Sequence, residues 1–216
     1  LYKGQAIYGV GGGITWDSTW ESEYREVQQK AAVLYRKQAR FKLISTGKIS
    51  QKSLLFEDQH LERLTKASRY FTFPFDPEYL RQKIEIECQA CDSHQDYRLR
   101  ISLSKSGEME LSRQNLTPLS PTFCKAKLCL QEADLQQAFT YFKTTHRPHL
   151  SLGEQEIIYH NAAGELLETS IGNLVLKIAG KLYTPPTSLG ILPGIYRQRL
   201  MEREQVEEKV LTLKDL

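Results

Sequence analysis

Tyr141-Phe142-Lys143-Thr144-Thr145-His146-Arg147 closes an apolar run on a lysine and continues in small hydroxyl residues. The run reads as a short strand with Lys143 at its end. Downstream, Leu167-Glu168-Thr169-Ser170-Ile171-Gly172-Asn173 sets a single carboxylate between apolar residues, again on a β-type segment. One amine and one isolated carboxylate are what a pyridoxal phosphate site needs: the amine forms a Schiff base, and the carboxylate keeps the ring nitrogen protonated so that the ring accepts electrons. Taken singly, a strand-end lysine is more often a snorkelling surface residue. The neighbouring segments decide whether the two belong together.

Upstream, Phe41-Lys-Leu-Ile-Ser-Thr46 alternates as a strand, Gly47-Lys48 reads as a turn, and a second strand near Leu54-Leu-Phe56 completes a hairpin. Asp58 to Phe71 is an amphipathic helix with Leu61, Leu64, Ala67 and Tyr70 on one face and Arg63 beside it. Asp76 caps a further helix with Pro77 at its first position, running to about Cys91. From Asp96 the period changes to two. Tyr97–Leu103, Glu108–Leu111 and Cys124–Leu130 read as half-buried antiparallel strands. Short strands follow over Glu156–Tyr159, Glu165–Thr169 and Asn173–Ile178, with turns at Asn161-Ala-Ala-Gly164 and Ala179-Gly180. Tyr183–Gly190 reads as an extended loop, and Pro193-Gly194 opens a helix from about Ile195 to Val206. Hairpin, two helices, a run of strands and a last helix make an α+β fold of two small layers rather than a doubly wound sheet.

Ahead of this lie a glycine-rich run, Gly9-Val-Gly-Gly-Gly-Ile14, and a helix over residues 20–38 with Tyr24, Val27, Ala31 and Leu34 on one face and Ser18 or Thr19 as N-cap. The run lacks both the phosphate-loop ending and the dinucleotide spacing. Glu23 and Glu26 stand one turn apart and could ligate Mg²⁺, although a solvated acidic face is commoner at a helix start. Residues 36–40 read as a basic hinge.

The chain has 216 residues, 40% hydrophobic and 25% charged, enough for one domain or two small ones. Net charge is +3 with signs interspersed, and no basic block alternates with aromatics, which argues against nucleic-acid binding. No apolar run reaches membrane-spanning length, and a soluble, cytoplasmic protein is expected. Of the four cysteines, Cys88-Gln-Ala-Cys91 has redox or half-zinc spacing, but Cys124 and Cys129 are five apart on a strand and do not complete a zinc set. Free, partly buried thiols are the plainer reading, and no metal is assigned.

Four motifs in order resemble the fold-type IV pyridoxal-phosphate family, which holds branched-chain and D-amino acid aminotransferases and 4-amino-4-deoxychorismate lyase. They are His60-Leu-Glu-Arg63-Leu64, Lys143-Thr-Thr-His-Arg147, Glu168-Thr-Ser-Ile-Gly-Asn173, and Leu182-Tyr-Thr-Pro-Pro through Leu192-Pro-Gly-Ile-Tyr-Arg197. The resemblance implies a D-amino acid aminotransferase-like fold. It makes Lys143 the Schiff-base lysine, Glu168 the partner of the pyridine nitrogen and Arg63 a phosphate ligand. Ile195 and Tyr196 fall where the family holds phosphate, with Tyr196 in place of the usual threonine. Thr46 matches the threonine that the lyases use as a proton donor.

Gly9-Val-Gly-Gly-Gly-Ile14, Asp17-Ser18, Glu23-Tyr-Arg-Glu26 and Lys30-Ala-Ala32 resemble the C-terminus of the chorismate-binding domain of aminodeoxychorismate synthase component I and anthranilate synthase. In that family these acids contribute to a Mg²⁺ site, but the body of such a domain lies outside this sequence. The two resemblances together imply the synthase–lyase fusion of folate synthesis. The expected organisation is a chorismate-binding remnant and linker over 1–40, an N-terminal α+β subdomain over 41–130 and a C-terminal subdomain over 131–216, the last incomplete. The implied reaction converts 4-amino-4-deoxychorismate to 4-aminobenzoate and pyruvate. A homodimer and a glutamine amidotransferase subunit are the implied partners. A branched-chain or D-amino acid aminotransferase, and a non-catalytic assembly domain, are the alternatives.

Overall fold

The computed structural model describes residues 7–35, 40–117, 125–131, 138–150 and 155–216. Cys124, most of the 36–40 segment and part of the Arg147–Glu156 connection lie outside them. The chain divides into two compact units, Leu1–Arg40 and Phe41–Leu216.

In the first unit, α1 (Trp20–Tyr35) is opened by Thr19, whose hydroxyl accepts from the Ser22 N–H at 3.3 Å. Lys30 Nζ donates to Gly11 O at 3.1 Å and pairs with Glu26, which folds the glycine-rich run back on the helix. The apolar spacing predicts a buried face, but Tyr24 and Leu34 are more than half exposed here. Periodicity reports a face that could be buried, and these described residues supply no layer to cover it.

The second unit starts with β1 (Leu43–Ser50), β2 (Ser53–Leu54), α2 (Glu57–Phe71), α3 (Pro77–Gln89), β3 (Tyr97–Leu103) and β4 (Met109–Asn115). The strands form one antiparallel sheet in the order β2-β1-β3-β4. Alternate residues of β1 and β3, Leu43, Ile49, Leu99, Ile101 and Leu103, are buried with Leu61, Leu64, Leu80 and Ile84 from the helices. Each such side chain contributes about 1.5–3 kcal/mol by leaving water. Asp76 accepts from the N–H groups of Glu78 and Tyr79, as its position before Pro77 predicts. Cys88 and Cys91 are fully buried free thiols at the end of α3, more enclosed than their spacing predicts.

Two local expectations are corrected here. Gly47-Lys48 is not a turn: β1 runs through it, and the hairpin turn is Gln51-Lys52, both left-handed (φ 49° and 59°). Gly47 is needed for close approach instead, since a Cβ there would lie 2.6 Å from His60 Nε2 and 2.7 Å from Leu54 Cδ1. Tyr70 leaves the α2 core face and is 61% exposed, while His60 and Ser68 are buried on that helix.

The remaining elements are β5 (Ala126–Leu130), α4 (Ala138–Tyr141), β6 (Glu156–His160), β7 (Leu166–Thr169), β8 (Leu176–Ile178), β9 (Lys181–Thr184), a 3-10 turn at Thr187–Leu189, α5 (Ile195–Glu202), β10 (Glu207–Glu208) and a last 3-10 turn at Leu213–Asp215. They form two three-stranded sheets, β5-β6-β7 and β10-β9-β8. β5 pairs with β6 in parallel, not antiparallel, and is mostly exposed. The 183–190 stretch is a strand end and a 3-10 turn rather than a plain loop, and α5 stops at Glu202, short of Val206. Ala179 and Gly180, at φ 49° and 87°, make the predicted tight turn between β8 and β9.

The opening stretch is the largest correction. Phe139 and Phe142, three apart, lie on one helical side and pack on Phe71, with Phe139 also edge-on to Phe41. That aromatic cluster takes the run into α4, and Lys143 follows beyond the helix, just before the Thr144 bridge to Leu43. Overpacking costs roughly 1–3 kcal/mol, so Gly47→Ala should lower stability by about that much in a denaturant melt, and the added methyl should displace His60.

Candidate functional site

Lys143 is held against β1 by backbone. Ile44 N–H donates to Lys143 O, and Thr145 N–H donates to Lys42 O, each at 2.9 Å. An isolated antiparallel bridge joins Leu43 to Thr144. The side chain of Lys143 enters a cavity of about 660 Å³ lined also by Thr46, Arg63, Glu168, Ile195 and Tyr196. All six residues singled out from the sequence therefore surround one cavity, within the usual volume range of small-molecule sites. They come from β1, α2, the 143–145 strap, β7 and the start of α5.

Glu168 is 2% exposed on β7. Burial raises its pKa, while Arg147, hydrogen bonding with the Leu192 backbone, and Lys143 act the other way. Arg147 Nη2 donates to Glu168 Oε1 at 3.3 Å. Lys143 is pushed down to about 8, first by burial and then by the charges of Arg63, Arg147 and Arg100, with Glu168 opposing. An amine with that value is substantially neutral near pH 8, whereas a solvated lysine is not.

Arg63, on α2, meets the turn ahead of α5. Its Nη2 donates to Pro193 O at 2.7 Å, and burial together with Arg147 lowers it to about 10. Among the described residues the bond to Pro193 O is its one hydrogen bond, which leaves four N–H donors for an anion. Gly194 is the N-cap of α5 and offers no side-chain acceptor, so the first N–H groups of the helix, including those of Ile195 and Tyr196, have no side-chain cap. The Tyr196 ring is 65% exposed. The turn before α5 is braced by Asn173, whose Nδ2 donates to Leu192 O at 2.8 Å. A Cβ on residue 194 would collide with Asn173 Oδ1, so glycine is required there by contact.

Several residues in or beside the cavity are given no role by the sequence reading. Ser45 Oγ lies 2.7 Å from His60 Nδ1, and both are buried on the helix side of β1. Burial, Arg63 and Lys143 lower His60 to about 4, so its ring is neutral at physiological pH. His60 and Asn173 stand inside the quoted motifs, where their contacts could have been suspected. Lys48 and Arg98 also line the cavity and have no local signature. No group of His, Cys, Asp and Glu suited to a metal occurs among the described residues, and no helix among them is long and apolar enough to cross a membrane.

Comparison with known families fits this geometry. Residues 42–216 match the amino-transferase class IV family, and residues 1–36 match the chorismate binding enzyme family. The chain belongs to the amino-transferase class IV family, with a chorismate-binding segment ahead of that domain. No curated protein sequence matches it. Among solved structures, a candidate amino-acid aminotransferase from Mesorhizobium loti superposes with a TM-score of 0.71 at 27% identity, over 82% of this chain and 89% of that one. A candidate 4-amino-4-deoxychorismate lyase from Haemophilus somnus 129pt gives 0.64 at 21%, over 83% and 92%. A hypothetical aminotransferase from Mycobacterium tuberculosis, in a PLP-bound form, gives 0.65 at 19%, over 81% and 73%. The fold is the fold-type IV aminotransferase-like one.

Competitive acetylation read by mass spectrometry should show Lys143 gaining reactivity through a single ionisation near pH 8, below the ordinary lysine value. Glu168→Gln should move that midpoint lower, because the carboxylate supports the ammonium form.

Proposed function

We propose that this chain carries a pyridoxal-phosphate-dependent 4-amino-4-deoxychorismate lyase over residues 41–216, preceded by the end of a chorismate-binding domain over 1–40. Subdomain limits of 41–130 and 131–216 belong to the same reading. The observation that carries it is the order of the two family matches: a chorismate-binding segment directly ahead of a class IV domain. Within the class, a chorismate-derived amine is the substrate of the lyase rather than of the aminotransferases. The products are 4-aminobenzoate and pyruvate, on the route to folate. A homodimer, a glutamine amidotransferase partner for the synthase part and a cytoplasmic location go with this reading.

The residues fit the cofactor. Glu168 is a fully buried carboxylate in a cavity whose other charged residues are cationic, which suits a protonated ring nitrogen. The uncapped start of α5 and the free N–H groups of Arg63 suit a phosphate. When bound, pyridoxal phosphate supplies an electron sink conjugated with the substrate amine. Lys143 would hold the cofactor, yield it to the substrate amine and then, as a neutral amine, take the proton from the amine-bearing carbon. Glu168 would keep the ring-nitrogen proton in place, with Arg147 holding the carboxylate ionised and oriented. Arg63 and the N–H groups of Ile195 and Tyr196 would bind the phosphate. Thr46, on the cavity side of β1, would donate a proton to the departing pyruvate carbon, and aromatisation of the remaining ring drives the release.

A second reading is an amino-acid aminotransferase of the same fold, the description given to the Mesorhizobium loti protein. Titration with pyridoxal phosphate should give a visible absorbance band that Lys143→Ala abolishes. Removing the general base should cost about 10²–10⁴-fold in rate. Pyruvate release from 4-amino-4-deoxychorismate without any amino acceptor is the expected result. A requirement for a 2-oxo acid would replace the lyase by the aminotransferase. A protein with no band, unaffected by Lys143→Ala, would be a non-catalytic assembly domain.

A further inference from the structure

The cavity holds more positive charge than cofactor binding uses. Arg63 and the α5 start serve a phosphate, Lys143 and Glu168 serve the ring, and Arg147 is committed to Glu168. Of the other cations that line it, Arg197 pairs with Glu208 and Arg203 lies just past α5, while Lys48 and Arg98 stand on the sheet. They are register partners on β1 and β3, and both line the cavity. Directly opposed residues of an antiparallel pair have Cβ atoms about 4.5–5.5 Å apart, and like charges there are destabilising. Lys48 is relieved by Asp96 at 2.5 Å, although both side chains stay more than one third exposed. Arg98 has only the neutral Gln114 amide oxygen, and among the described residues no carboxylate pairs with it. Two adjacent cations facing a cavity, one of them without a counterion, are a receptor for an anion.

Position selects the anion. Lys143 is bonded to β1 at Ile44. Lys48 lies four residues further along that strand, roughly 13 Å away at about 3.3 Å per residue. Thr46 lies between them on the same face, opposite Arg100. Lys143 therefore stands toward one end of this face of β1, and two cations stand toward the other. We propose that Lys48 and Arg98 form a carboxylate subsite that binds the end of the substrate remote from its amine, and so select a ring carrying amine and carboxylate at opposite positions. This rests on the lyase reading only for the identity of that ring.

Calorimetric titration of the whole chain with 4-aminobenzoate and with 4-aminobenzamide, its neutral counterpart, tests the subsite. The carboxylate should bind more tightly than the amide. Lys48→Gln and Arg98→Gln should each weaken carboxylate binding about tenfold or more and leave the amide unchanged, as expected for loss of a charge-assisted bond. Arg98→Lys should retain most of the preference. The variants should melt as the parent does, and their band with pyridoxal phosphate should persist, which separates a lost subsite from a lost fold or cofactor site. Equal binding of the two probes, or no binding of either, overturns the proposal, as do variants that weaken both probes alike. Intact carboxylate preference in a protein that releases no pyruvate would sink the lyase reading and leave the subsite standing.

Discussion

Two backbone hydrogen bonds, Ile44 to Lys143 and Thr145 to Lys42, hold the amine of this site in place. They add a one-bridge strap to β1 at the point where the strand's other face is already locked under α2 and α3. The strap is therefore tied to a layer whose other face is a buried apolar core. Phe139 and Phe142 hold it from behind by packing on α2. Arg63 of the same helix reaches the Pro193 carbonyl ahead of α5, so a single helix orients both the amine strap and the turn that opens α5.

The cavity so formed is governed by a contest between burial and charge. Burial favours the neutral form of both Glu168 and Lys143, and the guanidinium of Arg147 acts oppositely on the two. It supports the carboxylate and discourages the ammonium. A buried pair of this kind is costly to assemble and costlier to break from one side. Burial thus pulls both groups toward neutrality, while Arg147 favours the ionised carboxylate and the neutral amine, and perturbed groups of this kind cluster in functional clefts.

Much of this was legible in the chain. Asp76 before Pro77, the alternation of β3 and the Leu61, Leu64 and Ala67 part of the α2 face each follow from local rules that tertiary contacts did not override. The residues that line the cavity could be named because a lone lysine, glutamate and arginine recur in motifs of fixed order. What stayed hidden depends on contacts distant in sequence. Gly47 reads as a turn because glycine breaks patterns, yet its role is to admit His60 and Leu54. The Tyr141–Lys143 run looks like a strand because apolar residues crowd it, and only the rings on α2 reveal that a three-residue spacing governs. Lys48 and Arg98 are ordinary in isolation, and only strand register sets them side by side.

The depressed value of Arg63, near 10 for a group that ordinarily holds its proton far above that, has a thermodynamic side. A guanidinium is hard to discharge, so the folded chain carries this cation stripped of water first and set near Arg147 second. An anion that settles beside it is then more than a ligand. By mass action it draws the equilibrium toward the native state in proportion to its affinity for that state. A phosphate-bearing guest would serve as a late element of folding, and the architecture of the cavity would be finished by what it carries.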